Sequence, residues 1–161
     1  MTTIAINTKM IAADSQACRG QERIHTPATK IIIRGDWLYA SAGLGNEGFK
    51  ESMMAWHAAG ADPKTIPPVK EDNFTFLALR RGTGRPVMFT DRCAYSDEVD
   101  LPNAFGSGRE YALALLDAGY SPLEAVEGAI KRDLWSGGPV ITFDLLTFER
   151  IYFTALLEAA E

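Results

Sequence analysis

Apolar and polar positions along the chain fall into two periods. Short apolar or alternating runs bounded by turn residues predict strands at residues 2–7 and 9–14, close enough to form a hairpin. Further strand pairs are predicted at 28–33 and 37–42 around Arg34-Gly35-Asp36, at 74–79 and 86–90 around Gly82-Thr83-Gly84, and at 140–145 and 150–154 as a closing hairpin. Residues 46–59 switch to helical spacing, with Phe49, Met53, Trp56 and His57 on one stripe and Gly60 as a stop. Two later helices carry start signals. Ser107 with Glu110 fits a capping box ahead of Tyr111, Ala112, Leu115 and Leu116. Ser121, Pro122 and Glu124 form a stronger one ahead of Leu123, Val126, Ile130 and Leu134.

Residues 61–72 contain three prolines and read as a loop, and residues 94–102 read as acidic and irregular. The element order is strands, helix, strands, two helices, strands. Strands bunched in hairpins, with helices between the bunches, predict an α+β fold of antiparallel sheets covered by helices, not an alternating parallel fold. No repeat or linker divides the chain, so residues 1–161 are expected to form a single domain.

Composition narrows the function classes. Hydrophobic residues make up 47% and charged residues 23% of the 161, as in an ordinary globular protein. The balance of 16 Lys and Arg against 21 Asp and Glu, without a basic stripe, argues against a nucleic-acid partner. No apolar run approaches the roughly 20 residues needed to span a bilayer, so no membrane partner is expected. Cys18 and Cys93 form no ligand spacing and no secretory leader is read, which makes a reduced, cytoplasmic protein the simplest expectation. His25 and His57 are far apart and lack neighbouring ligand residues, so no metal site is expected of them.

The candidate chemistry begins at Thr2. If Met1 is removed, this residue carries both a hydroxyl and a free α-amine, whose reference pKa of about 7.7–8.0 suits a base near neutral pH. Ala12-Ala13-Asp14-Ser15-Gln16-Ala17 is an apolar strand ending in a carboxylate. Lys30 opens Ile31-Ile32-Ile33 and, placed beside the Thr2 hydroxyl with Asp14 holding it, would favour the alkoxide and the neutral amine. Ser41-Ala42-Gly43-Leu44-Gly45 is a small-residue turn after a strand, where a backbone N–H can approach a substrate oxygen and stabilise an oxyanion. Arg132 to Gly138, with Phe105-Gly106-Ser107-Gly108, offers a carboxylate and two hydroxyls that can orient the amine and relay its proton.

These pieces, in this order, carry a resemblance. The chain resembles the β-type subunits of the 20S proteasome and the related bacterial HslV peptidase, which are N-terminal-nucleophile (Ntn) hydrolases. The matching residues are Thr2-Thr3-Ile4, Ala12-Ala13-Asp14-Ser15, Lys30, Ala42-Gly43, Gly106-Ser107-Gly108 with Tyr111, and Arg132-Asp133 to Ser136-Gly137-Gly138. The Asp-x-x-Ser-Gly-Gly element favours the proteasome side, and the chain looks most like the short bacterial and phage-borne proteasome homologues.

The resemblance implies a four-layer αββα sandwich of two antiparallel sheets and a threonine-type endopeptidase acting inside a self-assembled ring. Carried over by position, it makes Thr2 the nucleophile and amine base, Asp14 and Lys30 its charge pair, Gly43 the oxyanion donor, and Ser107, Asp133 and Ser136 the orienting shell. Substrate would lie extended near Cys18 and near Gly43 to Gly45. The first specificity pocket would be lined by Ala17, Ala28, Ile32, Ser41 and Phe49, a small and apolar set that implies cleavage after apolar residues.

The implied partners are further copies of the chain in stacked rings, an unfolded polypeptide or peptide substrate, and an ATP-dependent unfoldase. No organic cofactor or catalytic metal is required, although the turn from Asp133 to Ser136 can hold a structural Mg²⁺ or Na⁺ ion in relatives. The chain departs from the family in three places. Its first hairpin is shorter, Cys18 stands where Thr is usual, and prolines in residues 61–72 replace a second long helix, which implies a reduced helical layer on one face.

Two other readings compete. A catalytically silent assembly subunit would retain Met1 and so block the amine. A nucleotide-binding module would use Gly43-Leu44-Gly45-Asn46-Glu47-Gly48, which matches GxGxxG, although hairpins precede it and no βαβ crossover is read after it.

Overall fold

The computed structural model describes residues 2–43, 47–68, 74–90 and 93–151. Two five-stranded antiparallel sheets face each other. The first has the order β10-β1-β2-β11-β12, built from β1 (Thr3–Ile6), β2 (Met10–Ala13), β10 (Asn103–Gly106), β11 (Ile141–Asp144) and β12 (Arg150–Ile151). The second has the order β5-β6-β7-β8-β9, from β5 (Ile31–Arg34), β6 (Trp37–Ala42), β7 (Thr75–Arg80), β8 (Val87–Thr90) and β9 (Cys93–Glu98). A separate hairpin pairs β3 (Ala17–Arg19) with β4 (Glu22–Ile24).

Strand alternation decides which side chains enter which layer. Ile4 and Ile6 of β1, with Ile11 and Ala13 of β2, meet Leu38, Ala40, Leu77 and Leu79 of the second sheet between the sheets. The opposite face of the first sheet presents Ala5, Ala12 and Ala104, and these small residues let α2 (Arg109–Asp117) and α3 (Pro122–Ile130) pack closely through Ala112, Ala125, Val126 and Ala129. On the outer face of the second sheet, Tyr39, Phe76 and Phe89 pack with Met53 and Trp56 of α1 (Glu47–Ala58). The result is the α+β, four-layer αββα arrangement, with two helices on one face and, among the described residues, one long helix on the other. Pro63–Thr65 forms only a short 3₁₀ turn within the proline-rich segment.

Several expectations are corrected. Residues 94–102 are not simply irregular, because β9 pairs antiparallel with β8 through Glu98 opposite Val87. Its acidic composition suits the last strand of a sheet, where charge discourages further pairing. The β3–β4 hairpin was not read, since its three-residue strands are mostly polar and lack an apolar alternation.

Ser107 does not cap α2. Gly108 occupies that position, with no side-chain capping bond. Ser121 and Glu124 do form the expected reciprocal capping box on α3. That helix ends at Ile130, which places Leu134 beyond the apolar stripe and 74% exposed. Residue 46 of the first predicted helix and residues 152–154 of the closing strand lie outside the described residues.

The antiparallel register also answers the GxGxxG match. β6 pairs antiparallel with both β5 and β7, so among the described residues the strands before and after α1 form no parallel crossover. Leu44, Gly45 and Asn46 themselves lie outside the described residues.

Candidate active site

Antiparallel pairing brings the start of β1 and the ends of β2, β6 and β10 to one end of the sandwich. Asp14, just past β2, is 1% exposed and collects four donors. Its Oδ1 accepts from Lys30 Nζ at 2.7 Å and from the Thr3 backbone N–H at 2.8 Å. Its Oδ2 accepts from the Gly137 N–H at 3.0 Å and the Gln16 N–H at 3.2 Å. An ionised carboxylate has about four acceptor positions, so this one is fully used.

Lys30 precedes β5, and its carbonyl accepts from the Ser41 N–H at 3.1 Å, which extends the β5–β6 ladder by one bond. The Asp14–Lys30 pair thus joins the first sheet to the second, with side chains only 0% and 5% exposed. Burial pushes the Lys30 ammonium below the usual lysine value, while the charge and hydrogen bond of Asp14 pull the other way without cancelling it.

A second acidic network lies on the other side of β1. Asp133 sits in the turn after α3, where its Oδ2 accepts from Ser107 Oγ at 2.7 Å and from Ser136 Oγ at 2.5 Å. Its Oδ1 accepts from the Trp135 N–H at 3.3 Å. The turn is anchored by the Asp133 N–H, which donates to the Ala129 carbonyl at 2.8 Å.

Thr2 is held between the two networks. It is 4% exposed, and its carbonyl oxygen is 3.4 Å from Ser107 Oγ. The neighbouring Gly106, at φ +92°, allows this approach, because a Cβ there would lie 1.8 Å from the Thr2 oxygen and 3.4 Å from Ala42 Cβ. Ala42, the last residue of β6, therefore lies close to the same Gly106 backbone against which Thr2 packs. On the other side, Thr3 fixes the strand to Asp14 through its N–H and through its carbonyl, which accepts from the Asp14 N–H at 3.1 Å.

The structure thus gathers Thr2, Asp14, Lys30, Ser107, Asp133 and Ser136 around the first residues of β1. The residues expected to face substrate are more scattered. Ala17 and Cys18 are half-buried on the β3 strand, where the Cys18 thiol accepts from Gln16 Nε2 at 3.2 Å. Ala28 donates its N–H to the Ser15 carbonyl at 2.8 Å. Ser41 is buried on β6, whereas Ile32 and Phe49 belong to the apolar cluster between the second sheet and α1, with Phe49 edge-on to Phe74 at 5.6 Å. Gly45 lies outside the described residues. A cavity of about 420 Å³ opens on the flank of the Asp14–Lys30 pair, lined also by Ala28, Thr29, Ile141 and Phe143.

Two residues of this site escaped the sequence reading. Thr3 is fully buried and joins both networks, since its Oγ1 lies 2.5 Å from Ser136 Oγ. Gln16 is 8% exposed and links Asp14 to β3. A hydroxyl inside an apolar strand, and an amide two residues after a buried carboxylate, were the available signals.

The turn suggested as a cation site is held by protein donors. The Asp133 carbonyl accepts from the Ser136 N–H at 3.4 Å, and the Leu134 carbonyl from the Arg23 guanidinium at 3.1 Å. The residues do not fit a bound cation well, because one of the carbonyls already meets a positive charge. Among the described residues there is no cluster of three or more His, Cys, Asp or Glu that could hold a metal ion, and no helix long and apolar enough to cross a membrane.

No family model and no curated protein matches the chain. Solved structures do match it. One is BPH of Thiobacillus denitrificans, a bacterial proteasome homologue, with a TM-score of 0.62 at 20% identity, covering 89% of this chain and 97% of that one. The same protein in complex with epoxomicin gives 0.60 at 18% identity, covering 89% and 98%. At this identity the likeness shows the fold. The chain has a proteasome-like sandwich.

Proposed function

We propose that the chain is a threonine-type endopeptidase whose nucleophile is Thr2 once Met1 is removed. The observation that carries this reading is the convergence on one residue of two networks built on buried carboxylates, with Asp14–Lys30 reaching it through Thr3 and Asp133 through Ser107, whose Oγ lies 3.4 Å from its carbonyl oxygen.

In this reading Thr2 Oγ attacks the scissile carbonyl while the Thr2 amine takes the hydroxyl proton. Lys30, held by Asp14, stabilises the developing alkoxide, and burial weakens its grip on its own proton. The Gly43 N–H meets the tetrahedral oxyanion. The ammonium then returns its proton to the leaving amine, and the C–N bond breaks to leave an acyl ester on Thr2. A water, deprotonated by the same amine, attacks that ester and releases the acid. Ser107, whose proton is directed to Asp133, has lone pairs left to accept from the amine and so keeps it oriented.

The same reading, resting on the sequence resemblance alone, extends to ring assembly from copies of this chain, an unfolded polypeptide as substrate and an ATP-driven unfoldase as partner. A silent assembly subunit is distinguished by retention of Met1. The test combines intact mass with hydrolysis of apolar fluorogenic peptides by wild type and Thr2→Ala. We expect Met1 to be absent, turnover to fall at least about 1,000-fold in the variant, and an epoxomicin adduct to map to the Thr2 peptide in wild type alone. A free Thr2 amine with neither turnover nor adduct would refute the assignment.

A further inference from the structure

Thr3 heads the line of hydroxyl donors that ends on Asp133 behind Thr2, and we infer that it is a positioning residue for the reaction proposed above, on which this role rests. Its side chain is fully buried, and its Oγ1 lies 2.5 Å from Ser136 Oγ. Either oxygen could be the donor if the pair stood alone. It does not, because Ser136 Oγ donates to Asp133 Oδ2 at 2.5 Å, and a serine has one hydroxyl proton. The proton of the Thr3–Ser136 bond therefore belongs to Thr3.

Ser107 likewise places its proton on Asp133 Oδ2 at 2.7 Å. The order is then Thr3 to Ser136 to Asp133, with Ser107 arriving from the other side. Each bond polarises the next, so the Thr3 donor strengthens the hold of Ser136 on the carboxylate that also fixes Ser107.

The Thr3 hydroxyl occupies space that only a glycine in the β10–α2 turn leaves open, since a Cβ at Gly108 would lie 2.0 Å from Thr3 Oγ1. The Thr3 N–H, meanwhile, is committed to Asp14 Oδ1, the same oxygen that receives Lys30 Nζ. One residue thus sets the distance between the network that orients the amine and the pair that stabilises the alkoxide. It touches neither substrate nor reacting atoms, and acts through Ser136 and Asp14.

The test measures kcat and KM for Thr3→Val, Thr3→Ser, Ser136→Ala and the double variant Thr3→Val with Ser136→Ala, in protein shown by mass to have lost Met1. Loss of the hydroxyl in Thr3→Val should lower kcat about 10- to 100-fold with KM within about twofold. Thr3→Ser should restore kcat to within about threefold of wild type, and Thr3→Val should add almost nothing in the Ser136→Ala background. Thr3→Ala removes the same hydroxyl without new bulk and takes the place of Thr3→Val if that variant shows no cooperative melting transition.

The inference is overturned if Thr3→Val matches wild type, if Thr3→Ser falls as far as Thr3→Val, or if the two losses simply add. Each of those outcomes leaves wild-type turnover intact. An inert wild type with a free amine is a different failure, which removes the Thr2 assignment and the Thr3 role together.

Discussion

The two ends of the sandwich tie the same sheets together with opposite kinds of bridge. At one end Asp14, after β2, meets Lys30, before β5, in a pair with 0% and 5% side-chain exposure. At the other end Arg81, after β7, reaches the β11–β12 turn by donating to the Thr147 carbonyl and covering the Phe148 ring at 4.6 Å. Arg81 also donates to the Gly35 carbonyl at 3.3 Å and pairs with Asp36 at 3.5 Å, but those side chains are 38% and 72% exposed. Water can replace most of what Arg81 supplies. It has little to replace at the buried pair, where each oxygen of Asp14 is already spent on protein donors. The difference separates a fastening from a preorganised site, in which cost is concentrated in groups that cannot relax.

The largest break in that comparison should come from Lys30→Met. Removing one member of a buried pair leaves Asp14 charged and short of a partner, which costs about 3–5 kcal/mol of folding stability. Under the proposed mechanism turnover also falls about 100- to 10,000-fold. The pH dependence has a definite sign. Because burial holds the folded Lys30 below its usual 10.5, the unfolded chain binds more protons between the folded value and 10.5. The Lys30 contribution to stability is therefore flat below that window and increases as pH rises through it. Urea unfolding across the alkaline range should show the gap between wild type and Lys30→Met widening toward pH 10.5. A gap that narrows would contradict the dominance of burial over Asp14.

Gly106→Ala should have the next largest effect, without altering any charge. A methyl placed 1.8 Å from the Thr2 oxygen, on a residue at φ +92°, forces two backbones apart. Overpacking of this kind costs about 1–3 kcal/mol. Since the displaced atom belongs to Thr2 itself, turnover should fall further than stability, by at least about tenfold. Thermal melting and peptide hydrolysis on the same preparation separate the two. Equal losses in both would mean that Gly106 serves packing alone.

The contrast between the ends also explains what could be read from the chain beforehand. Periodicity exposed most strands and all three helices, because burial on both faces leaves an apolar run and burial on one leaves a stripe. It missed β3 and β4, whose polar residues bury little. Asp14 and Lys30 could be singled out as a charge pair, since each stands at the border of an apolar strand. Ser107 was harder, because a serine three residues before a glutamate has the same pattern whether it caps its helix or reaches across the fold. Here it bonds to Asp133, 26 positions away. Thr3 and Ser136 lie 133 positions apart, and nothing local to either names the other. Local partners leave a spacing in the sequence, whereas long-range hydroxyl partners leave only a residue type.

Arg81→Ala should have the smallest effect. Its ion pair is largely solvated, and exposed pairs of this kind contribute about 0–1 kcal/mol. Its position over Phe148 adds about 0.5–1 kcal/mol. Some of that is returned when water takes over the carbonyls of Gly35 and Thr147, both in exposed turns. Urea unfolding should therefore place the loss at about 1 kcal/mol, well below that of Lys30→Met, with peptide turnover unchanged. The comparison sharpens if turnover holds while stability drops slightly, since the far end then fastens the sheets without transmitting anything to Thr2. It breaks if Arg81→Ala slows hydrolysis severalfold. The sandwich would then act as one rigid body, and the precision of the site would depend on the whole length of the strands between its two ends.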